Sequence, residues 1–102
     1  MNADTDLISW LQYWYAAQCD GDWEHSYGVQ IGTLDNPGWT VSIDLSGTTL
    51  EGARFDEVDE RWRSEGDWVD CRVENARYRG AGGPHNLEEI LRIFREWVVR
   101  EG

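Results

Sequence analysis

The sequence predicts an α+β fold: a two-layer sandwich in which an antiparallel meander of about five strands carries an N-terminal and a C-terminal helix on one face, in the order α-β-β-β-β-β-α. Three observations lead there. Apolar side chains recur at helical spacing near both ends of the chain, alternate with a period of two in between, and are interrupted by turn-forming residues. The 102 residues suit one domain, 1–102, with a core of modest size.

Residues 5–19 read as an amphipathic helix. Leu7, Leu11, Trp14 and Tyr15, with Ile8, Trp10 and Cys19, follow the i, i+3, i+4, i+7 spacing. Asp4, Thr5 or Asp6 can cap its start, and Gly21 supplies a stop. A hairpin follows, with strands near 23–34 and 39–46. Trp23, His25, Tyr27, Val29 and Ile31 share one side of its first strand; Trp39, Val41, Ile43 and Leu45 share one side of the second. Between them, Asp35-Asn36-Pro37-Gly38 suits a type II turn, with Pro37 pre-setting φ and Gly38 accepting a positive φ. A one-residue slip would turn the apolar side chains to water, so the register is specified.

Ser46-Gly47-Thr48-Thr49 makes the next turn. A third strand is expected within 53–61, with a bulge because Phe55 and Val58 have opposite parity. Arg63-Ser64-Glu65-Gly66 is a further turn. A fourth strand over 67–73 points Val69, Cys71 and Val73 one way and Trp68, Asp70 and Arg72 the other. Glu74-Asn75-Ala76 forms a short hairpin turn, and a fifth strand over 76–81 directs Tyr78 inward. Gly80-Ala81-Gly82-Gly83-Pro84 reads as a chain reversal. In the last helix Asn86 and Glu89 form a capping box, and Leu87, Ile90, Leu91, Phe94, Trp97 and Val98 form an apolar stripe. Arg95 and Arg100 suit its C-terminal end.

Charge narrows the function. The formal net charge is −11, and it is segregated. Residues 1–60 carry Asp4, Asp6, Asp20, Asp22, Glu24, Asp35, Asp44, Glu51, Asp56, Glu57, Asp59 and Glu60 against Arg54 alone, whereas the remainder is balanced. Such a field repels nucleic acid and anionic membrane and steers basic partners in, although acidic surfaces also serve solubility. Met1 to Asp6 does not resemble a signal peptide and no apolar run approaches the ~18 residues of a membrane span, so a soluble, cytoplasmic protein is expected. In that setting Cys19 and Cys71 are expected as reduced, small packing residues.

Motifs for chemistry are weak. Asp20-Gly21-Asp22-Trp23-Glu24 begins like a calcium loop, but His25 and Ile31 stand where that loop needs glycine and glutamate. The Gly80–Gly83 run lacks the spacing of a dinucleotide fingerprint and the lysine of a P-loop. Neither a metal nor a cofactor is expected. Asp22, Glu24 and His25 could supply acid and base, yet no serine or cysteine nucleophile sits in a recognisable elbow. Of the seven tryptophans, Trp62 and Trp68 lack core parity. Trp68, beside Asp70 on the outer sheet face, either anchors a protein partner or packs under a loop.

The residues also resemble a known family, the immunity protein 53 family of bacterial polymorphic-toxin systems. The resemblance runs through Trp10-Leu11-Gln12-x-Trp14-Tyr15, Cys19-Asp20-Gly21-Asp22-Trp23-Glu24-His25-x-Tyr27-Gly28 and Thr33-Leu34-Asp35-Asn36-Pro37-Gly38-Trp39. It continues through Ile43-Asp44-Leu45, Asp67-Trp68-Val69-x-Cys71-x-Val73-Glu74, Gly80-x-Gly82 and Asn86-Leu87-x-Glu89-Ile90-Leu91, closing at Phe94 and Trp97; residues 47–66 match least. It implies a non-enzymatic protein that binds a cognate toxin domain. Combined with the charge, it suggests an acidic docking surface for a basic nuclease. The candidate contact residues are Asp20, Asp22, Glu24 and His25 at the helix-to-strand corner, Asp44, then Asp56, Glu57, Asp59 and Glu60, with Trp68 as the desolvated anchor. Two other readings stay open: a small hydrolase-like enzyme using a carboxylate–His25 pair, and a peptide-binding adaptor using an exposed sheet edge.

Overall fold

The computed structural model describes residues 6–101, apart from the side chains of residues 59–61. Its elements run α1 (Leu7–Gln18), α2 (Trp23–Ser26), β1 (Val29–Leu34), β2 (Gly38–Asp44), β3 (Val58–Ser64), β4 (Asp67–Glu74), β5 (Arg77–Gly82) and α3 (Leu87–Glu101). The five strands form one antiparallel sheet with α1 and α3 on one face, as expected. Between the layers, Val41, Ile43, Val69, Cys71 and Tyr78 of the sheet meet Ile90, Leu91, Phe94 and Trp97 of α3 and Leu7, Leu11 and Trp14 of α1. The parity expected of β2, β4 and β5 is therefore the observed one. Cys71 is buried and Cys19 half-buried, and they are not joined in a disulfide.

Helix α1 is capped by Asp6, whose carboxylate accepts the Ser9 N–H at 3.0 Å; Asp4 and Thr5 lie outside the described residues. Its apolar stripe is narrower than expected, since Ile8 and Tyr15 are exposed. Gly21 has φ +95° but is not the stop: the helix ends at Gln18, with an extended Cys19 as its cap. Helix α3 begins after a buried Asn86, whose Nδ2 donates to Glu89 at 3.1 Å and whose Oδ1 accepts the Trp68 N–H at 3.3 Å. Asn86 thus ties the helix start to β4 as well as to Glu89.

Four strand-level expectations are corrected. Residues 23–27 are not strand. The Asp20 carboxylate accepts the N–H groups of Asp22 and Trp23, both at 2.9 Å, and Glu24 reaches back to those of Asp20 and Gly21 at 3.0 and 2.9 Å. These reciprocal bonds wind the chain into a helical turn, α2, and local capping outcompetes alternation. Trp23 is nevertheless buried, donating Nε1–H to the Ser46 carbonyl at 2.8 Å, while His25 and Tyr27 are exposed. Second, Gly38 belongs to β2 and has no positive φ; the turn is Asp35-Asn36-Pro37. A Cβ on Gly38 would lie 2.4 Å from the Gly82 carbonyl oxygen, so glycine is needed there for close approach to β5. Third, β3 starts at Val58, and its bulges fall between Val58 and Arg61 and between Trp62 and Ser64. Phe55 lies outside the strand, its ring 5.0 Å from Trp97 and 5.6 Å from Tyr78.

Fourth, the sheet is not a meander. The strand order is β1-β2-β5-β4-β3, so β5 lies between β2 and β4 and the 45–57 connection carries the chain to the opposite edge. The supposed reversal at 80–84 is largely the second half of β5. Its glycines explain why that strand is central: a Cβ on Gly80 would stand 2.4 Å from Ile90 Cγ2, so only a strand without side chains there can lie beneath α3. Gly80→Ala is expected to lower stability by about 1–3 kcal/mol through overpacking, measured by urea unfolding. Combined with Ile90→Ala, itself destabilising, the total loss should be smaller than the sum of the two single losses; strict additivity of the two changes would contradict the contact.

The two-residue β4–β5 loop is as expected, with Asn75 and Ala76 at φ 54° and 55°, the left-handed pair that a type I′ hairpin requires.

Candidate protein-binding surface

Strand order decides which polar residues meet. The start of β1, the end of β2, the start of β5, the end of β4 and the start of β3 share one end of the sheet, because Val29 pairs with Ile43, Ile43 with Tyr78, Tyr78 with Val73, and Val58 with Cys71. To that end the chain brings the α2 corner, tied through Trp23 to Ser46, and the crossover that delivers Glu51, Asp56 and Glu57. Asp20, Asp22, Glu24, His25, Asp44, Asp56 and Glu57 therefore stand at a common end, the α2 corner and Asp44 on its β1–β2 side and Asp56 and Glu57 at its β3 edge. The side chains of Asp59 and Glu60, just beyond Val58, lie outside the described residues.

Within this end the carboxylates divide by task. Asp20 and Glu24 hold the corner, and both are shifted below the usual carboxylate range. For Asp20 the causes are the Trp23 and Asp22 N–H groups; for Glu24, its own N–H leads, with those of Asp20 and Gly21 adding to it. Asp44 fastens β1 to the sheet, accepting the Gly28 N–H and the Arg77 guanidinium, each at 3.0 Å. Asp22, His25, Asp56 and Glu57 remain exposed, with Asp56 facing Arg54 at 3.4 Å. Asp20, although bonded, is exposed as well, as is Glu51 of the crossover.

Trp68 begins β4, three residues before Cys71, the partner of Val58, so it lies roughly 10 Å along the strand from the start of β3 and farther from the α2 corner at the opposite sheet edge. It is half-buried, pairs across the strands with Trp62, and shares with it a groove of about 470 Å³ lined also by Asn36, Pro37, Glu65, Gly66 and Pro84. Trp62, 60 % exposed, is the larger apolar surface there. Its off-core parity is the sequence signal for that exposure.

Beside that groove Arg63 bridges Asp67 at 2.7 Å and Glu89 at 2.5 Å, and Asn86 Nδ2 donates to Asp67 at 2.9 Å. Arg63 first, then Asn86, draws the Asp67 carboxyl down to about 2 from 3.8. A depressed folded value makes this stabilisation complete above pH about 3.8, lost as pH falls toward 2. Asp67→Asn should flatten the loss of stability between pH 4 and 2, followed by unfolding at fixed pH values; an unchanged acid limb would contradict the bridge.

The remaining open sheet face, opposite the helices, is a broad trough of mixed sign. Arg72 pairs with Asp70 at 3.1 Å, Arg77 with Asp44 at 3.0 Å and Arg79 with Glu74 at 3.7 Å, so its charges largely compensate one another. Among the described residues no group of three or more His, Cys, Asp or Glu side chains is placed to hold a metal ion, and no helix is long and apolar enough to cross a membrane.

An end rich in carboxylates, a separate tryptophan groove and a surface of compensated ion pairs are features of a protein-binding module. Comparison with protein families is decisive on this point: a family model described as Immunity protein 53 matches residues 8–99. The chain belongs to the immunity protein 53 family. The match covers every described strand and nearly all of both long helices, so the family assignment applies to the whole fold described above. Searches of curated proteins and of solved structures give no significant match. For an immunity protein the implied partner is a protein toxin.

Proposed function

We propose that this immunity protein binds a basic toxin domain, a nuclease, and occludes its functional surface with the carboxylate-rich end of the sheet, acting as a non-enzymatic inhibitor in the cytoplasm of the producing cell. One observation supports the reading: strand order puts Asp22, before edge strand β1, and Asp56 and Glu57, before edge strand β3, at the same exposed end of the sheet, together with Asp20, Glu24 and Asp44. A nuclease surface that accepts a phosphate backbone is basic, and an acidic protein with a net charge of −11 is drawn to it. Trp62 and Trp68 lie on the β3–β4 side of the sheet, along the strands from Asp56 and Glu57, so Trp68 would serve as an anchor flanking those carboxylates.

The test is co-expression with the toxin domain encoded beside the gene. The expected result is a stable complex on gel filtration and restored growth of the toxin-expressing host. Absence of both, together with substrate turnover abolished by His25→Ala, would favour the enzyme reading instead.

A further inference from the structure

The two edges of the sheet are built differently. Edge strand β3 reads Val-Asp-Glu-Arg-Trp-Arg-Ser and is interrupted by two register shifts, devices that discourage another strand from pairing. Edge strand β1 reads Val-Gln-Ile-Gly-Thr-Leu, with no charge, no proline and an unbroken register against β2. It is exposed, Ile31 at 42 %. The register also identifies which backbone groups face outward. Asp44 N–H donates to the Gly28 carbonyl at 3.0 Å, so Gly28, Gln30, Gly32 and Leu34 turn their backbone groups toward β2. Val29, Ile31 and Thr33 turn theirs away, where among the described residues β1 has no second neighbour.

Charge selects the occupant. The α2 corner, with Asp20 and Asp22, precedes β1, and Asp35 follows it directly. A second copy pairing antiparallel across a two-fold would set each corner against the other copy's Asp35, between two molecules each of net charge −11. A strand from a basic protein meets neither penalty. Building on the toxin-binding reading, we propose that β1 is the docking edge for an extended segment of the toxin, neutral where it pairs with Val29–Leu34 and basic beyond both ends. The added strand would exchange hydrogen bonds with Val29, Ile31 and Thr33 and continue the interface from the acidic end along the sheet edge.

Amide exchange of the intact protein, free and saturated with the toxin domain encoded beside its gene, tests this. In the free protein Val29, Ile31 and Thr33 should exchange fast and Gln30 and Gly32 slowly; in the complex the first three should slow by about 100-fold. Ile31→Pro removes an outward N–H that the folded monomer does not use, so binding should weaken by about tenfold with Gln30 and Gly32 still protected. A complex in which Val29, Ile31 and Thr33 stay open overturns the edge proposal and leaves the toxin-binding reading standing. Failure to form any complex overturns both. Protection that appears in the free protein as its concentration rises assigns the edge to a second copy and overturns the proposal. If Ile31→Pro does not fold, exchange in the unmodified protein decides.

Discussion

Replacing Trp97 by alanine is expected to cost about 3–5 kcal/mol, a large share of the 5–15 kcal/mol that holds a typical domain folded. The side chain is fully buried on α3, its Nε1–H donates to the Arg54 carbonyl at 2.8 Å, and its ring meets Phe55 at 5.0 Å and Phe94 at 6.3 Å. Truncation opens a cavity, deprives the Arg54 carbonyl of its donor and releases the crossover that carries the chain to β3. Trp62→Ala, at an exposed tryptophan of the same protein, should change stability by no more than about 0.5 kcal/mol. Urea unfolding of both variants provides the comparison. Similar losses at the two positions would contradict the division of the tryptophans into core and surface.

Neutralising Asp22, Asp56 and Glu57 together, as Asp22→Asn/Asp56→Asn/Glu57→Gln, is expected to slow association with the toxin domain by about tenfold or more at low salt and to change dissociation less. All three are exposed at the acidic end, and none of them carries the hydrogen bonds that shape the α2 corner. The difference from the unmodified protein should shrink as salt is raised, because exposed charges are screened beyond about 8–10 Å at physiological ionic strength. Asp20→Ala serves as the contrast. It removes the acceptor for the Asp22 and Trp23 N–H groups, so its main effect should be on stability. Stopped-flow association at two salt concentrations separates these outcomes; an unchanged association rate would place the interface away from the acidic end.

Much of this architecture was legible because the core imposes simple periods. Val41-Ile43-Leu45 and Val69-Cys71-Val73 alternate since one sheet face is buried, and Ile90, Leu91, Phe94 and Trp97 repeat at helical spacing since one stripe of α3 is buried. Period alone misread residues 23–27, where Asp20 and Glu24 satisfy local N–H groups and favour a turn of helix over a strand whose partner lies farther along the chain. Strand adjacency was harder still. That β5 sits beside β2 depends on contacts between distant segments, and its sequence sign, glycine at 80 and 82, fits a close helix approach as well as a chain reversal. The candidate surface inherits both lessons. The excess of carboxylates was visible in sequence, but their arrival at one end rests on strand order. The unguarded outward groups of β1 rest on it too.

Amide chemical-shift mapping on the labelled immunity protein, titrated with the toxin domain encoded beside its gene, addresses the central claim most directly. The largest changes are expected at the end of the sheet holding Asp22, Asp44, Asp56 and Glu57, with smaller ones around Trp62, Trp68 and Pro84. Changes concentrated around the tryptophan groove, with residues 20–28 and 44–58 unmoved, would contradict it.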